Sequence, residues 1–435
     1  MRRRAAVIAN ALGVAVLGAL AAGPAFAAGF AIPEQGAKAL GMANAFTAQA
    51  DDPSAMFYNA GGMAFLDHRE FALGGTYIRT TKADFRGDNP FPGTGASGTQ
   101  KTLSVFPPHL YFVQPINPQW KVGIGIESPY GLTTEWKDPN NFPGRFLSTK
   151  AALRAFDVNP TIAWQVSPEF GIGVGGIARI SDLELRRDAG AVDPFTLRTA
   201  TVASSRLKGD FNTGYGFNLG ALWKATPQLS FGASYRSAID IKYTGNATLT
   251  QIATGNPFFD QIVAATLPFG RKLPVATKLN FPATASLGVA YGFTPNVLAE
   301  LDAGWSGWNR FREVPITFTN HDLPDSVITE RWKNSYSYRA GVRWNLDPVW
   351  QLRFGYVRDQ TPQPEQTVNP LLPDNDRNGF TIGVGHKGTI TTDVGLMYLD
   401  LGKRSRHQTF AGDVQGDFFG TYETRALLLG VTLSF

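Results

Sequence analysis

The chain has 435 residues and no cysteine, which excludes disulfides, thiol catalysis and cysteine-ligated metals. Glycine at 47 residues and aromatics at 12% are high for a soluble enzyme, while charged residues at 17% are low. The formal charge of +5 includes three arginines at the extreme N-terminus, and removing them leaves +2, so the charge balance gives no support to nucleic-acid binding.

Arg2, Arg3 and Arg4 precede an apolar run from Ala5 to about Ala22, and Ala25-Phe26-Ala27 offers an A-x-A cleavage site. That order predicts a secretory signal peptide over residues 1–27 and export of the remainder. No later stretch approaches the ~20 apolar residues of a membrane helix. Residues 28–66 are rich in alanine and glycine, show helical spacing in places and do not alternate. Their composition predicts a packed segment rather than a solvated tail.

From residue 67 onward, segment after segment separates into an apolar row and a small or polar row. In WKVGIGIE, Trp120, Val122, Ile124 and Ile126 alternate with Lys121, Gly123, Gly125 and Glu127. In FGIGVGGIAR, Phe170, Ile172 and Val174 alternate with Gly171, Gly173 and Gly175, and Tyr336, Tyr338, Val342 and Trp344 alternate in the same way. Period two predicts strands. Six connections are very short and carry turn residues: 117–119, 167–169, 226–228, 294–296, 346–348 and 386–388. Seven longer ones centre near residues 92, 140, 196, 262, 324, 368 and 411. Thirteen connections join fourteen antiparallel strands, and short turns on one rim with long loops on the other predict a transmembrane β-barrel over 67–435. Trp120, Trp164, Trp223, Trp344 and Trp350 lie near the short turns, as an interfacial girdle requires. Core tryptophans of a soluble β protein are the competing reading.

The fourth long loop holds NPFFDQIVAATLPFG, in which Phe258, Phe259, Ile262, Val263 and Leu267 recur at helical spacing. Pro257 can open a short helix there and Pro268-Phe269-Gly270 can close it. If the short turns are periplasmic, this apolar helix is extracellular and a first contact for hydrophobic molecules; packing onto a neighbouring loop is the alternative. The last strand places Leu427, Leu429, Val431, Leu433 and Phe435 on one face. Its terminal phenylalanine resembles the signal by which outer-membrane proteins meet the barrel-assembly machinery.

Several motifs in order along the chain resemble the FadL family of outer-membrane transporters for hydrophobic compounds. They are AGF at the expected mature start, ADDPSAMFYNAGGM from Ala50, GLTTEW from Gly131, GRF from Gly144, FPATASLGVAY from Phe281, GYVRDQTP from Gly355 and LPDNDR from Leu372. The resemblance implies that residues 28–66 form a hatch in the barrel lumen, with Phe30, Asn59, Ala60 and Gly61 among its characteristic positions. Family members carry Asn-Pro-Ala where this chain has Asn59-Ala60-Gly61, which predicts a looser local turn. It further implies an outer capture groove formed by the loop around Phe258 and that from Tyr130 to Lys150, and lateral release of substrate through the wall. Fatty acids, or alternatively aliphatic or aromatic hydrocarbons, are the implied partners. A monomer among outer-membrane lipids and lipopolysaccharide is expected, with no cofactor, metal or nucleic acid.

Family members meet a fatty-acid carboxylate with basic lumen residues. The lumen row here includes Lys121, Arg179, Arg236, Arg339, Arg343 and Arg353, with Glu127, Asp157, Glu300, Asp302 and Asp359. Arg179 and Lys333 are the candidates, and cross-lumen ion pairs are the competing role. A lipase-like enzyme would need a nucleophilic serine with a positioned histidine, but no GxSxG occurs and the five histidines stand in no recognisable serine context.

Overall fold

The computed structural model describes residues 29–410 and 417–435, so the signal peptide expected over 1–27 lies outside the described residues. Strand segments join into one antiparallel sheet, and several are consecutive pieces of one interrupted strand. Counted as continuous staves they are fourteen. They run β1 (Glu70–Gly87), β2 (Ser97–Thr99, Ser104–Val105 and Pro108–Pro115), β3 (Trp120–Glu135), β4 (Lys150–Gln165), β5 (Phe170–Val192), β6 (Thr199–Lys224) and β7 (Leu229–Arg236 and Ile239–Gln251). There follow β8 (Leu273–Phe281 and Thr284–Thr294), β9 (Val297–Ser306 and Glu313–Phe318), β10 (Ser326–Thr329 and Ser335–Asn345), β11 (Trp350–Asp359), β12 (Arg377–His386), β13 (Thr391–Arg406) and β14 (Gly420–Ser434). β14 pairs back onto β1 from Ala72↔Ser434 to Gly87↔Gly420, which closes the barrel and leaves no sheet edge at the seam.

The six turns and seven long loops fall where the alternation places them. Outward residues such as Ile172, Val174, Tyr338, Val342, Leu427 and Leu429 are exposed, while Gly171, Gly173 and Gly175 face inward and are covered. Trp120 and Trp164 stack at 5.5 Å, 6° from parallel, beside the short-turn rim. No helix among the described residues is long and apolar enough to cross a membrane.

A lumen of this width stays open unless filled. Residues 29–66 fill it. The segment contains two single-turn helices, α1 (Ala37–Leu40) and α2 (Ala55–Tyr58), and a 3-10 turn at Gly62–Phe65, less helix than its composition suggests. Leu40, Met42, Phe46, Met56 and Met63 are fully buried. The inward glycines of the wall are its seat: the hatch backbone comes so close that the Ala60 carbonyl lies against Gly173 and the Thr47 carbonyl against Gly232. Side chains there would hold the two backbones apart.

Candidate functional site

Four features share the lumen: the hatch, an aromatic cage around its first residues, a set of cavities, and a break in the wall. Hatch anchoring is polar. The Phe46 and Thr47 N–H groups both donate to Asp302 Oδ2 at 3.0 Å, and Ala48 N–H donates to Glu300 Oε1 at 2.6 Å. The Asn59 amide donates to the Thr47 carbonyl at 2.7 Å and to the Ala221 carbonyl of β6 at 2.9 Å, while its Oδ1 accepts from Gly61 N–H. The Asn-Ala-Gly turn is therefore held closely rather than loosely. A Cβ on Gly61 would lie 2.7 Å from the Ala221 Cα, so glycine lets this turn press on the wall.

Phe30 is 5% exposed and surrounded by Tyr130, Phe281, Trp308, Phe311 and Trp332, with ring centroids 4.7 to 6.0 Å away. Edge-to-face contacts of this kind contribute ~0.5–1.5 kcal/mol each beyond burial. Gly29 has φ +65° and no room for a side chain, since a Cβ would meet Trp332 at 2.6 Å and Trp308 at 2.9 Å. The cage exists because β8, β9 and β10 are interrupted at neighbouring positions. Those interruptions turn Trp308, Phe311 and Trp332 inward instead of continuing the ladder.

A central cavity of 460 Å³ lies beside Phe30, Ile32 and Glu34. It is large enough for a drug-sized ligand, and it runs into the break in the wall. β2 pairs with β3 only from Pro115↔Lys121 to Leu110↔Ile126, whereas β3 continues to Glu135. Above Ile126 the ladder stops: Ser128 Oγ still donates to the Pro108 carbonyl at 2.8 Å, and backbone pairing resumes only around the isolated bridge Gln100↔Trp136. Pro107 and Pro108 supply no N–H to the ladder on one side, and Pro129 supplies none at the β3 bulge. Leu103, Val105 and Phe106 line the cavity from β2, and Gly131, Leu132 and Thr133 line it from β3. The hatch takes β2's place at the break: Ala31 pairs with Tyr130, Ile32 N–H donates to the Pro129 carbonyl at 2.8 Å, and Gly131 N–H donates to the Phe30 carbonyl at 3.0 Å.

A smaller chamber of 140 Å³ lies on the other side of Ala31, Ile32 and Tyr130, and an upper groove of 330 Å³ lies beneath the long loops. Leu147, Leu185, Leu249, Leu267, Phe318 and Leu323 line the groove. The loop helix forms as expected, as α3 (Pro257–Thr266), its Asn256 side chain accepting from Phe258 and Phe259 N–H. Its five apolar residues do not share one role. Phe259 and Val263 are buried in the aromatic and aliphatic cluster below, Leu267 faces the groove, and Phe258 and Ile262 stand exposed at 72% and 50%. Tyr130, expected near the outer groove, belongs to the cage instead.

The lumen charges are organised in pairs. Arg179 is bidentate to Asp157 at 2.7 and 2.8 Å and lies 4.4 Å over the Tyr130 ring. Arg236 bridges Glu127 at 2.7 Å and Asp157 at 3.0 Å. Arg339 pairs with Asp359, Arg343 with Asp51, Arg353 with Asp393 and Arg377 with Asp374. Lys333 is exposed at the β10 interruption, its N–H donating to the Pro362 carbonyl, and it lines none of the cavities described. The aromatic cage and the β2–β3 break escaped sequence reasoning, although Pro107-Pro108 and Pro129 were visible signals of the latter. Among the described residues, no group of three or more His, Asp and Glu could hold a metal.

A closed barrel whose bore is filled by its own N-terminal segment, with an apolar cavity behind a break in the wall, defines a plugged outer-membrane β-barrel. The family model for outer membrane protein transport proteins (OMPP1/FadL/TodX) matches residues 18–435, and the chain belongs to that family. It is a multi-pass protein of the bacterial outer membrane. It is 25% identical over 429 residues to the long-chain fatty acid transport protein of Escherichia coli K12, covering 90% of this chain and 91% of the relative. Outer membrane protein P1 of Haemophilus influenzae Rd is 26% identical over 420 residues, covering 87% of each. The crystal structure of a Pseudomonas aeruginosa FadL homologue superposes with a TM-score of 0.78 at 21% identity, covering 94% of this chain and 99% of that one. The Pseudomonas putida toluene transporter TodX gives 0.67 at 17% identity, covering 88% and 94%.

Proposed function

We propose that this chain is a transporter and not an enzyme, and that it takes up long-chain hydrophobic molecules, fatty acids or hydrocarbons. Capture begins at Phe258 and Ile262 and in the groove beneath the loops, substrate passes to the central cavity, and it leaves sideways between β2 and β3. The observation that carries this reading is the cavity's continuity with the wall break, where Leu103 and Leu132 line opposite sides. Burying each methylene contributes ~0.8 kcal/mol, so a sixteen-carbon chain gains on the order of 10 kcal/mol in an apolar site that a water-filled pore cannot offer. Residues 28–66 act as a hatch that keeps the bore closed to ions while this path stays open. The protein works as a monomer, with outer-membrane lipids and lipopolysaccharide around it, after insertion by the barrel-assembly machinery.

Deleting Ala28 to Phe65 tests the hatch. The expected result in planar bilayers at about pH 6 is a silent wild type and a steadily conducting deletion variant; equal conductance in the two would reject it.

A further inference from the structure

We propose that the lumen favours hydrophobic molecules with an uncharged, hydrogen-bonding head over those with an anionic head, and that Asp157, Asp359 and Asp374 set this preference. The proposal rests on the uptake reading above and narrows its substrate class.

The central cavity and the smaller chamber share Ala31, Ile32, Asn44, Tyr130 and Asp359, so a ligand can place its chain in the first and its head in the second. Four guanidiniums lie in or immediately behind these walls, and each already has a carboxylate. Arg179 is bidentate to Asp157 at 2.7 and 2.8 Å. Arg236 meets Glu127 and Asp157, Arg339 meets Asp359 at 3.2 Å, and Arg377 meets Asp374 at 3.4 Å. Glu34 lines the central cavity as a fifth carboxyl, with the Asn44 amide donating to it at 3.3 Å. An anionic head entering this set would lose its hydration without gaining a free cation, because each guanidinium already has a carboxylate partner.

Hydrogen-bond donors are nevertheless available. Arg236 Nη1 and Arg339 Nε are buried without acceptors, and both residues line the smaller chamber beside Ser234, Ser286, Ser306 and Ser335. A hydroxyl or carbonyl oxygen can accept from such donors at no cost in net charge, whereas leaving them unmet is expensive. Asp157 thus works by occupying Arg179, and Asp359 and Asp374 by occupying Arg339 and Arg377.

The test uses the full-length detergent-solubilised protein and two probes of equal chain length, hexadecanol and hexadecyl sulfonate, whose charge does not titrate. By calorimetric titration the wild type should bind the alcohol at least about tenfold more tightly, a difference of ~1.4 kcal/mol. Asp157→Asn and Asp374→Asn should each shift the sulfonate-to-alcohol ratio about tenfold toward the sulfonate. Barrel assembly is checked by circular dichroism and heat-modifiable gel migration, and the wild-type ratio stands without either variant. Equal or tighter sulfonate binding by the wild type would overturn the proposal, as would an unchanged ratio in assembled variants. If neither probe binds, the uptake reading itself fails, so the two failures are distinguishable.

Discussion

Glu34 shows how one side chain couples the hatch to its surroundings. It is 7% exposed, and burial pushes its carboxyl from 4.5 up to about 7, with Asp359 adding to the rise and Arg377 and Arg339 opposing it. A carboxyl that holds its proton more tightly when docked than when free supports docking fully below its free value, and that support is lost as pH climbs through about 7. We therefore expect ion leak through the wild type to rise between about pH 6 and pH 8, and Glu34→Gln to leak at a low level independent of pH over that range. Planar-bilayer recordings decide; the same pH dependence in the glutamine variant would place the titrating group elsewhere. The pairing of Arg179 was also legible at this scale. Asp157 and Arg179 lie equally far on either side of Pro168 in the β4–β5 turn, so the hairpin alone sets them opposite one another. That register gives Arg179 a carboxylate partner, which leaves it no free charge for a substrate.

At the scale of elements, what the sequence discloses depends on whether the cause is local. Strand alternation and the short proline- or glycine-bearing turns are local, and all fourteen staves could be counted from them. The position of residues 29–66 is not local, yet it left a trace in the inward glycines of β5 and β6 that only a packed backbone explains. The interruptions in β7 to β10 are tertiary: Pro282 marks one, but nothing nearby announces that Trp308, Phe311 and Trp332 turn inward to meet Phe30. The loop helix α3 lies between these cases. Its capping by Asn256 and Pro257 was readable, but the division of its apolar residues depends on what packs beneath. That division yields a prediction with two arms. Phe258→Ser with Ile262→Ser should slow uptake several-fold at low substrate concentration without changing thermal stability. Phe259→Ser with Val263→Ser should loosen the loop, each truncation costing ~2–4 kcal/mol of local packing. Uptake assays beside limited proteolysis separate the arms, and normal uptake by the assembled Phe258/Ile262 variant would remove the exposed face from the capture step.

At the scale of the molecule, the function proposed here requires the barrel to stay closed to ions and open to oily molecules at once. Filling the bore with a segment that buries its apolar side chains against wall glycines meets the first need. Breaking the wall between β2 and β3, with the hatch strand satisfying part of the exposed backbone there, meets the second. The two needs meet at Phe30 and Tyr130, where cage, cavity and break adjoin. Lateral passage through that break is the central claim. Its most direct test is uptake of a radiolabelled long-chain substrate by cells that lack their own transporter. Those cells would express the wild type or Leu103→Trp with Leu132→Trp, which fills the break from both sides. The account predicts that the assembled double variant, still silent to ions, takes up substrate at the rate of cells with no transporter at all. Uptake at the wild-type rate with the break filled would contradict it.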